Sequence, residues 1–245
     1  MSARVTCEDV GVRFLFDRQR RVVTPALRRL RRRGEETWGL RHVSLELGPG
    51  DAVALLGASG SGKTSLLRVL AGVFGADEGR VEVVGRIGAL LSVESGLSSR
   101  LTGAENAALL AVLAGLTRRE ARALVPAVRE ESQLGVAFDR PVSSYSQGMR
   151  ARLGYAVAEL VRPEILLLDE VLEALDHEFR DVVEARARAI LAAGGIVLAA
   201  GHDHELLGRL CTRAVYLAQG TVRAAGPFAE VRDAYLAAAH HPDVD

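Results

Sequence analysis

Lysine is nearly absent from this chain. Lys63 stands alone, and the other thirty of the 31 basic residues are arginine. Net charge is absent as well: 31 basic and 31 acidic residues cancel, which excludes binding of nucleic acid through overall charge. Only Cys7 and Cys211 occur, far apart, so there is no disulfide framework, in keeping with a reducing compartment. Aromatics make up 4% of the residues, so the position of each carries weight. The longest apolar helical stretch, Ala107 to Leu116, falls well short of the roughly 20 residues that cross a bilayer, and the first residues lack the apolar core of a secretory signal. The chain is expected to span no membrane. At 245 residues and 49% apolar content it is expected to form one globular domain over 1–245.

The lone lysine lies in Gly57-Ala58-Ser59-Gly60-Ser61-Gly62-Lys63-Thr64, which fits the phosphate-binding pattern G-x-x-x-x-G-K-[ST]. A compact ammonium on a flexible stem reaches between phosphate oxygens as a point charge, whereas arginine's planar fork suits flat bidentate partners. Asp51 to Leu56 reads as a buried strand feeding the loop, and Ser65 to Ala71 as the helix leaving it. Glycines let successive N–H groups point inward, and a helix start adds roughly half a positive charge. Lys63 is expected to meet the β- and γ-phosphates, and the Thr64 hydroxyl to ligate Mg²⁺, a hard cation that takes oxygen ligands.

Apolar runs at Val53–Leu56, Ile165–Leu168, Ile196–Ala200 and Ala214–Leu217 read as strands. Helix-length stretches at Thr117–Glu131, Gly148–Val161 and Glu178–Ala193 alternate with them, which predicts a largely parallel sheet covered on both faces. From Thr102 to Leu160 the pattern is helical throughout, as an inserted subdomain would be. Ile165-Leu-Leu-Leu-Asp-Glu170 ends a buried strand in two carboxylates, at the end of an open α/β sheet where ligands bind. Asp169 is expected to hold the metal and Glu170 to polarise an attacking water as general base.

With these residues in place, the chain resembles the nucleotide-binding subunit of an ABC transporter from about Val5 to Leu236. Tyr145-Ser-Gln-Gly-Met149 stands where that family carries its signature loop, usually Leu-Ser-Gly-Gly-Gln. Ala174-Leu-Asp176 is similar to the loop that crosses the family's dimer interface, and Gly201-His202-Asp203 to its switch loop. The resemblance implies an α/β fold: a phosphate-loop NTPase cassette with a RecA-like, mostly parallel core sheet (about 1–90 and 160–236), antiparallel N-terminal strands and a helical signature subdomain (about 91–159). It implies ATP and Mg²⁺ as cofactors. It also implies that Gly57 to Ser65 of one copy and Ser146, Gln147 and Gly148 of a second enclose each nucleotide. Asp176 would lie at the junction, and His202 would sense the γ-phosphate. The partners are then a second copy of the chain and a polytopic permease, with the subunit peripheral to the cytoplasmic face of the membrane and no nucleic acid involved. Adenine stacking falls to an early aromatic; Phe14 stands near that position, with Phe16 and Trp38 as competitors.

A narrower resemblance is to the ATPases that export O-antigen, capsule and teichoic acid. It rests on Tyr145 to Leu153 (Tyr-Ser-Gln-Gly-Met-Arg-Ala-Arg-Leu), Asp169-Glu-Val-Leu172, and Leu101-Thr-Gly-Ala-Glu-Asn106. The family's metal-linking glutamine has no counterpart within Leu90 to Gly96; Ser92 is the positional match, with Glu94 close by. Eight arginines crowd Arg18 to Arg33, and two readings stand open: a solvated basic face, or a contact with anionic lipid headgroups. No aromatic interleaves them before Trp38, which argues against single-stranded nucleic acid. His42, His177, His204, His240 and His241 lack any zinc-type spacing and read as solvated or locally bonded. A GTPase switch is excluded, because its Asn-Lys-x-Asp motif needs a second lysine. Translation or repair ATPases normally carry tandem cassettes or a long coiled coil, and neither fits in this length.

Overall fold

The computed structural model describes residues 2–16, 22–23, 35–91, 96–160 and 162–240. The chain opens with β1 (Arg4–Phe16), β2 (Val22–Val23), β3 (Glu35–Leu47) and β4 (Ala52–Leu56), then α1 (Lys63–Leu70), β5 (Glu78–Val84) and β6 (Ile87–Leu90). Helices α2 (Gly103–Leu113), α3 (Arg118–Ser132) and α4 (Gln147–Leu160) follow. The chain then returns through β7 (Ile165–Asp169), α5 (Val171–Ala174), α6 (His177–Ala192), β8 (Ile196–Ala200), α7 (His204–Leu210), β9 (Arg213–Ala218), β10 (Thr221–Pro227) and α8 (Phe228–His240). No helix among the described residues is long and apolar enough to cross a membrane.

A six-stranded sheet runs in the order β10-β9-β4-β8-β7-β6, parallel from β9 to β6 with β10 antiparallel at one edge. A second, antiparallel sheet forms around β1, which pairs with β2, β3 and β5. The central strands are buried along their whole length because side chains leave alternate faces into separate cores. Val53, Leu55, Ile165, Leu167, Ile196 and Leu198 meet α1 and the antiparallel sheet on one side. Ala54, Leu56, Leu166, Leu168, Val197 and Ala199 meet α4 to α8 on the other. Burial of about 1.5–3 kcal/mol per large apolar side chain makes this double-sided packing the main adhesive of the fold. Cys7 and Cys211 are free and buried, which pushes their thiols up to about 11 and about 12.

The four strands and three helices bounded by the sequence pattern agree with the structure to within one residue. The largest difference falls at the phosphate loop, where α1 starts at Lys63, two residues earlier than expected. Gly62 caps it in the left-handed region (φ 111°), and its carbonyl already accepts from Leu66 N–H at 2.9 Å, so Lys63 and Thr64 sit on the first helical turn.

The helical segment 103–160 has its own core around Ala107, Phe138, Val142, Tyr145 and Leu153. Its entrance explains the motif Leu101-Thr-Gly-Ala-Glu-Asn106. Thr102 and Glu105 form a capping box on α2. The fully buried Asn106 amide accepts from Ser98 N–H at 2.7 Å and donates to the carbonyls of Ser98, Leu101 and Thr102 at 3.0, 3.1 and 2.9 Å, pinning the loop before the helix. Gly103 is a glycine because the Tyr145 hydroxyl lies over it: an added Cβ would stand 2.3 Å from that oxygen. Tyr145 donates in turn to the Ala137 carbonyl at 2.8 Å.

Candidate functional site

Three neighbouring parallel strands deliver the site. The loop Gly57–Gly62 leaves the carboxyl end of β4, Asp169 and Glu170 end β7, and His202 follows β8, which lies between them. The loop is thereby brought to residues that lie more than a hundred positions further along the chain.

The loop is built on conformations that side chains resist. Gly57 (φ 147°), Gly60 (φ 78°) and Gly62 (φ 111°) all have positive φ, and a Cβ on Gly57 would meet Leu217 O at 2.3 Å and Ser61 Oγ at 2.5 Å. Ala58, Ser59 and Gly60 are exposed at the tip, while Ser61 is buried with its Oγ unpaired. Lys63 is buried and folds back on its own loop, donating to Gly57 O at 2.6 Å and Ala58 O at 3.1 Å. Burial pulls its pKa below the ordinary lysine range, opposed by the negative charges of Glu170, Asp169 and Glu173. Ser65 follows on the same helical turn, half-buried.

Asp169 is buried, which raises its carboxyl above the usual range; the Thr64 hydroxyl bonds to it and acts against that shift. Its Oδ1 is buried without a hydrogen-bond partner. A dry carboxylate oxygen beside a threonine hydroxyl and a glycine cradle is a donor set that suits a hard divalent cation next to phosphate. Glu170 is a non-glycine residue in the left-handed region (φ 40°), a backbone strain of order 1–3 kcal/mol. A bond from its N–H to Ala200 O at 2.9 Å holds it there. Its side chain is exposed, and Oε1 lies 3.1 Å from His202 Nε2.

The remaining residues singled out in the sequence lie on other elements. Ser146, Gln147 and Gly148 open α4, with Ser146 Oγ accepting from Met149 N–H at 3.2 Å as its cap. Gly148 packs against the interface-type loop, since an added Cβ would stand 3.0 Å from Ala174 O. Asp176 caps α6 by accepting from Phe179 N–H at 3.0 Å, and pairs with Arg152 of α4. The Arg152 guanidinium beside it holds the Asp176 carboxyl below the usual carboxylate range. Arg152 also lies over the Phe179 ring at 4.8 Å. Phe14 packs edge-on to Phe74 at 5.7 Å and against Gly39, whose carbonyl touches the space beside Gly62. Trp38 turns to the other side of β3, where Arg13 and Arg41 stack at 5.0 and 5.6 Å. His42 pairs with Asp9 at 2.8 Å, His177 lies 3.5 Å from Asp181, and His204 meets the Tyr235 ring at 5.5 Å. Ser92, Glu94, the arginine-rich segment other than Val22 and Val23, and the Phe16 side chain lie outside the described part of the structure.

No individual role was read from the sequence for Arg152, Arg180 or Glu173. Arg180 on α6 donates to the carbonyls of Leu175 and Glu173, each at 2.9 Å, and so fixes the loop between β7 and α6. No residue-type pattern announces main-chain contacts of this kind.

The family model for ABC transporter matches residues 40–173, more than half of the chain. The chain belongs to the ABC transporter family. Among ABC relatives, it is 37% identical to the O-antigen export system ATP-binding protein RfbE of Yersinia enterocolitica, over 75% of this chain and 77% of that one. It is 32% identical to the teichoic acids export ATP-binding protein TagH of Lactococcus lactis over 82% of this chain, which spans less than half (43%) of that relative's length. The fold is that of an ABC cassette: a dimeric ATP-binding cassette in a post-hydrolysis state with ADP and Pi superposes with a TM-score of 0.72 at 21% identity, covering 91% of this chain and 98% of that one.

Proposed function

We propose that this chain is the ATP-hydrolysing subunit of an ABC transporter that exports a polysaccharide or lipid-linked glycan. Two copies would act with a membrane permease at the cytoplasmic face. The observation that carries the ATPase reading is the meeting of the Lys63 loop, the Asp169–Thr64 pair and the 3.1 Å Glu170–His202 contact at the ends of three adjacent strands. The glycan class is supported by the names of the relatives above. The motifs shared with such exporters are packed together: Tyr145 lies over Gly103, joining the signature loop to the Leu101–Asn106 motif.

In this reading Lys63 exchanges its two loop carbonyls for β- and γ-phosphate oxygens, and the loop N–H groups bind the same phosphates. Thr64 and Asp169 would hold Mg²⁺, which neutralises charge on the phosphates when bound. Glu170 accepts the proton of the attacking water; the water oxygen bonds to the γ-phosphorus as the bridging oxygen leaves with ADP. His202 holds Glu170 at the base position and donates to the γ-phosphate. Ser146 and Gly148 of a second copy close the site, with Gln147 beside them and Asp176 at the junction. Phe14, alongside the loop through Gly39, supplies a face for adenine. Phosphate binding thus closes the dimer, and loss of the γ-phosphate opens it.

The test is Glu170→Gln, which removes the base and leaves Asp169 in place. In size-exclusion chromatography with ATP and Mg²⁺ the variant is expected to elute as a dimer with no turnover. A monomer that hydrolyses at the wild-type rate would refute the assignment. For the cargo, deletion of the gene is expected to deplete surface glycan while lipid-linked polymer accumulates inside; unchanged surface glycan overturns the export reading and leaves the ATPase intact.

A further inference from the structure

One carboxylate beside the site has no part in the reaction just described. Glu173 lies on α5, and its Oε1 accepts hydrogen bonds from two successive backbone N–H groups of the switch loop, those of His202 and, at 3.2 Å, Asp203. The approach is close: a Cβ added to Gly201 would stand 3.0 Å from the same oxygen. Glu173 is itself anchored, because Arg180 Nη2 donates to its carbonyl at 2.9 Å while Nε holds the Leu175 carbonyl at 2.9 Å. Arg180 Nη1 also lies 3.8 Å from Asp203 Oδ2, so one arginine steadies both halves of the contact. The histidine carried by this loop presents Nε2 to Glu170 Oε1 at 3.1 Å.

We propose that Glu173 is a positioning residue that clamps the switch loop and so delivers His202 to Glu170 and to the γ-phosphate. This rests on the ATPase reading given above. The physical reason is orientation. The His202 side chain is about half exposed (49%) and would otherwise sample several rotamers and loop conformations. Hydrogen bonds from two consecutive N–H groups to one acceptor oxygen fix the backbone at residues 202 and 203, which fixes the direction in which the imidazole leaves the chain. Small errors in the placement of such a group cost large factors in rate. Glu173 touches neither water nor phosphate in this scheme; it acts through the histidine. The same short segment continues to Asp176, which is tied to Arg152 on the signature helix, so movement at the junction between copies reaches the clamp through three residues.

The experiment compares wild type, Glu173→Ala and Glu173→Gln in the full chain. Steady-state ATPase kinetics are paired with amide hydrogen exchange of the segment 201–204 followed by mass spectrometry. Glu173→Ala is expected to lower kcat about tenfold with KM for ATP within twofold, and to speed exchange across the segment about tenfold. Glu173→Gln keeps an acceptor oxygen of the same reach without the charge, and is expected to retain at least a third of wild-type kcat with exchange close to wild type. A Glu173→Ala enzyme with kcat within twofold of wild type overturns the proposal, and so does unchanged exchange. So does a Glu173→Gln variant as impaired as Glu173→Ala, since that would assign the effect to charge near Lys63. Should wild type itself fail to hydrolyse ATP, the functional reading falls, and the exchange comparison still decides the clamp.

Discussion

Gly103→Ala is the substitution that most directly tests how the signature loop is held. The added methyl would stand 2.3 Å from Tyr145 Oη, 2.7 Å from Phe138 O and 3.2 Å from Phe138 Cδ2. The carbonyl is main chain and cannot swing away, and the hydroxyl can move only by giving up its 2.8 Å bond to Ala137 O. That bond is worth about 1 kcal/mol, and overpacking a buried site costs about 1–3 kcal/mol. Alanine's better helix propensity returns at most about 1 kcal/mol, and less at a first helical position such as this one. The net expectation is a loss of about 2–3 kcal/mol, which in a chain of this size lowers Tm by roughly 4–12 °C. Thermal unfolding followed by circular dichroism measures it, and ATPase activity should fall several-fold because Ser146 adjoins the displaced tyrosine. Tyr145→Phe in the same background removes the oxygen at the closest contact and is expected to recover part of the loss, giving a coupling of about 1 kcal/mol between the two sites. A Gly103→Ala protein with wild-type Tm, or a double variant that is merely additive, would refute the packing argument.

Other substitutions probe the nucleotide site and the junction loop. Lys63→Ala is expected to abolish ATP hydrolysis and most nucleotide binding, and Lys63→Arg to lower activity at least tenfold, because a planar fork cannot enter a loop that closes on the ammonium at 2.6 and 3.1 Å; wild-type rates for Lys63→Arg would show the lone lysine to be incidental. Arg152→Ala removes the Phe179 stacking and an ion pair, half exposed on its acid side, that contributes about 1 kcal/mol at neutral pH. The Asp176 carboxyl is depressed in the folded state, so this contribution is present above the unfolded carboxylate pKa and is lost as pH falls through the folded value. The gap in Tm between wild type and Arg152→Ala is therefore expected to narrow in acid to what the Phe179 stacking contributes, and a gap independent of pH would contradict the ion-pair account.

Much of the site could be read before any coordinates, and the reason is specific. Phosphate chemistry demands particular residue types at fixed spacing, so Gly57 to Thr64 and Asp169-Glu170 announce themselves as local strings, whereas His202 stood out only through the family resemblance. The buried strands β4, β7, β8 and β9 are legible because they are continuous apolar runs. By contrast β5 alternates exposed charge with partial burial, as Glu78, Arg80 and Glu82 show, and offers no such run; its existence depends on β1 lying beside it. Contacts from side chain to main chain were not legible. Arg180 and Glu173 bind carbonyls or N–H groups, and a backbone partner has no residue type to search for; Asn106 was visible as part of a motif, but its bonds to the preceding loop were not. Asp176 stood out in the sequence as the acid after Ala174-Leu175 but not as the cap of α6, because the helix boundary had to be known first.

The self-contained bonding of Lys63 has a consequence for which anions the loop admits. Two of the three ammonium N–H groups are given to the Gly57 and Ala58 carbonyls, and the side chain is buried inside the loop. A newcomer has to displace two good hydrogen bonds before it gains the lysine. A sulfate, inorganic phosphate or chloride ion, each able to reach only part of the loop, is expected to give back little more than it removes. A chain of linked phosphates engages the lysine, the loop amides and the helix start together, and only that combined gain exceeds the cost of opening the loop. On the nucleotide-binding reading, the loop is expected to favour a chain of linked phosphates over single small anions, a preference set by two carbonyl oxygens as well as by the shape of the loop.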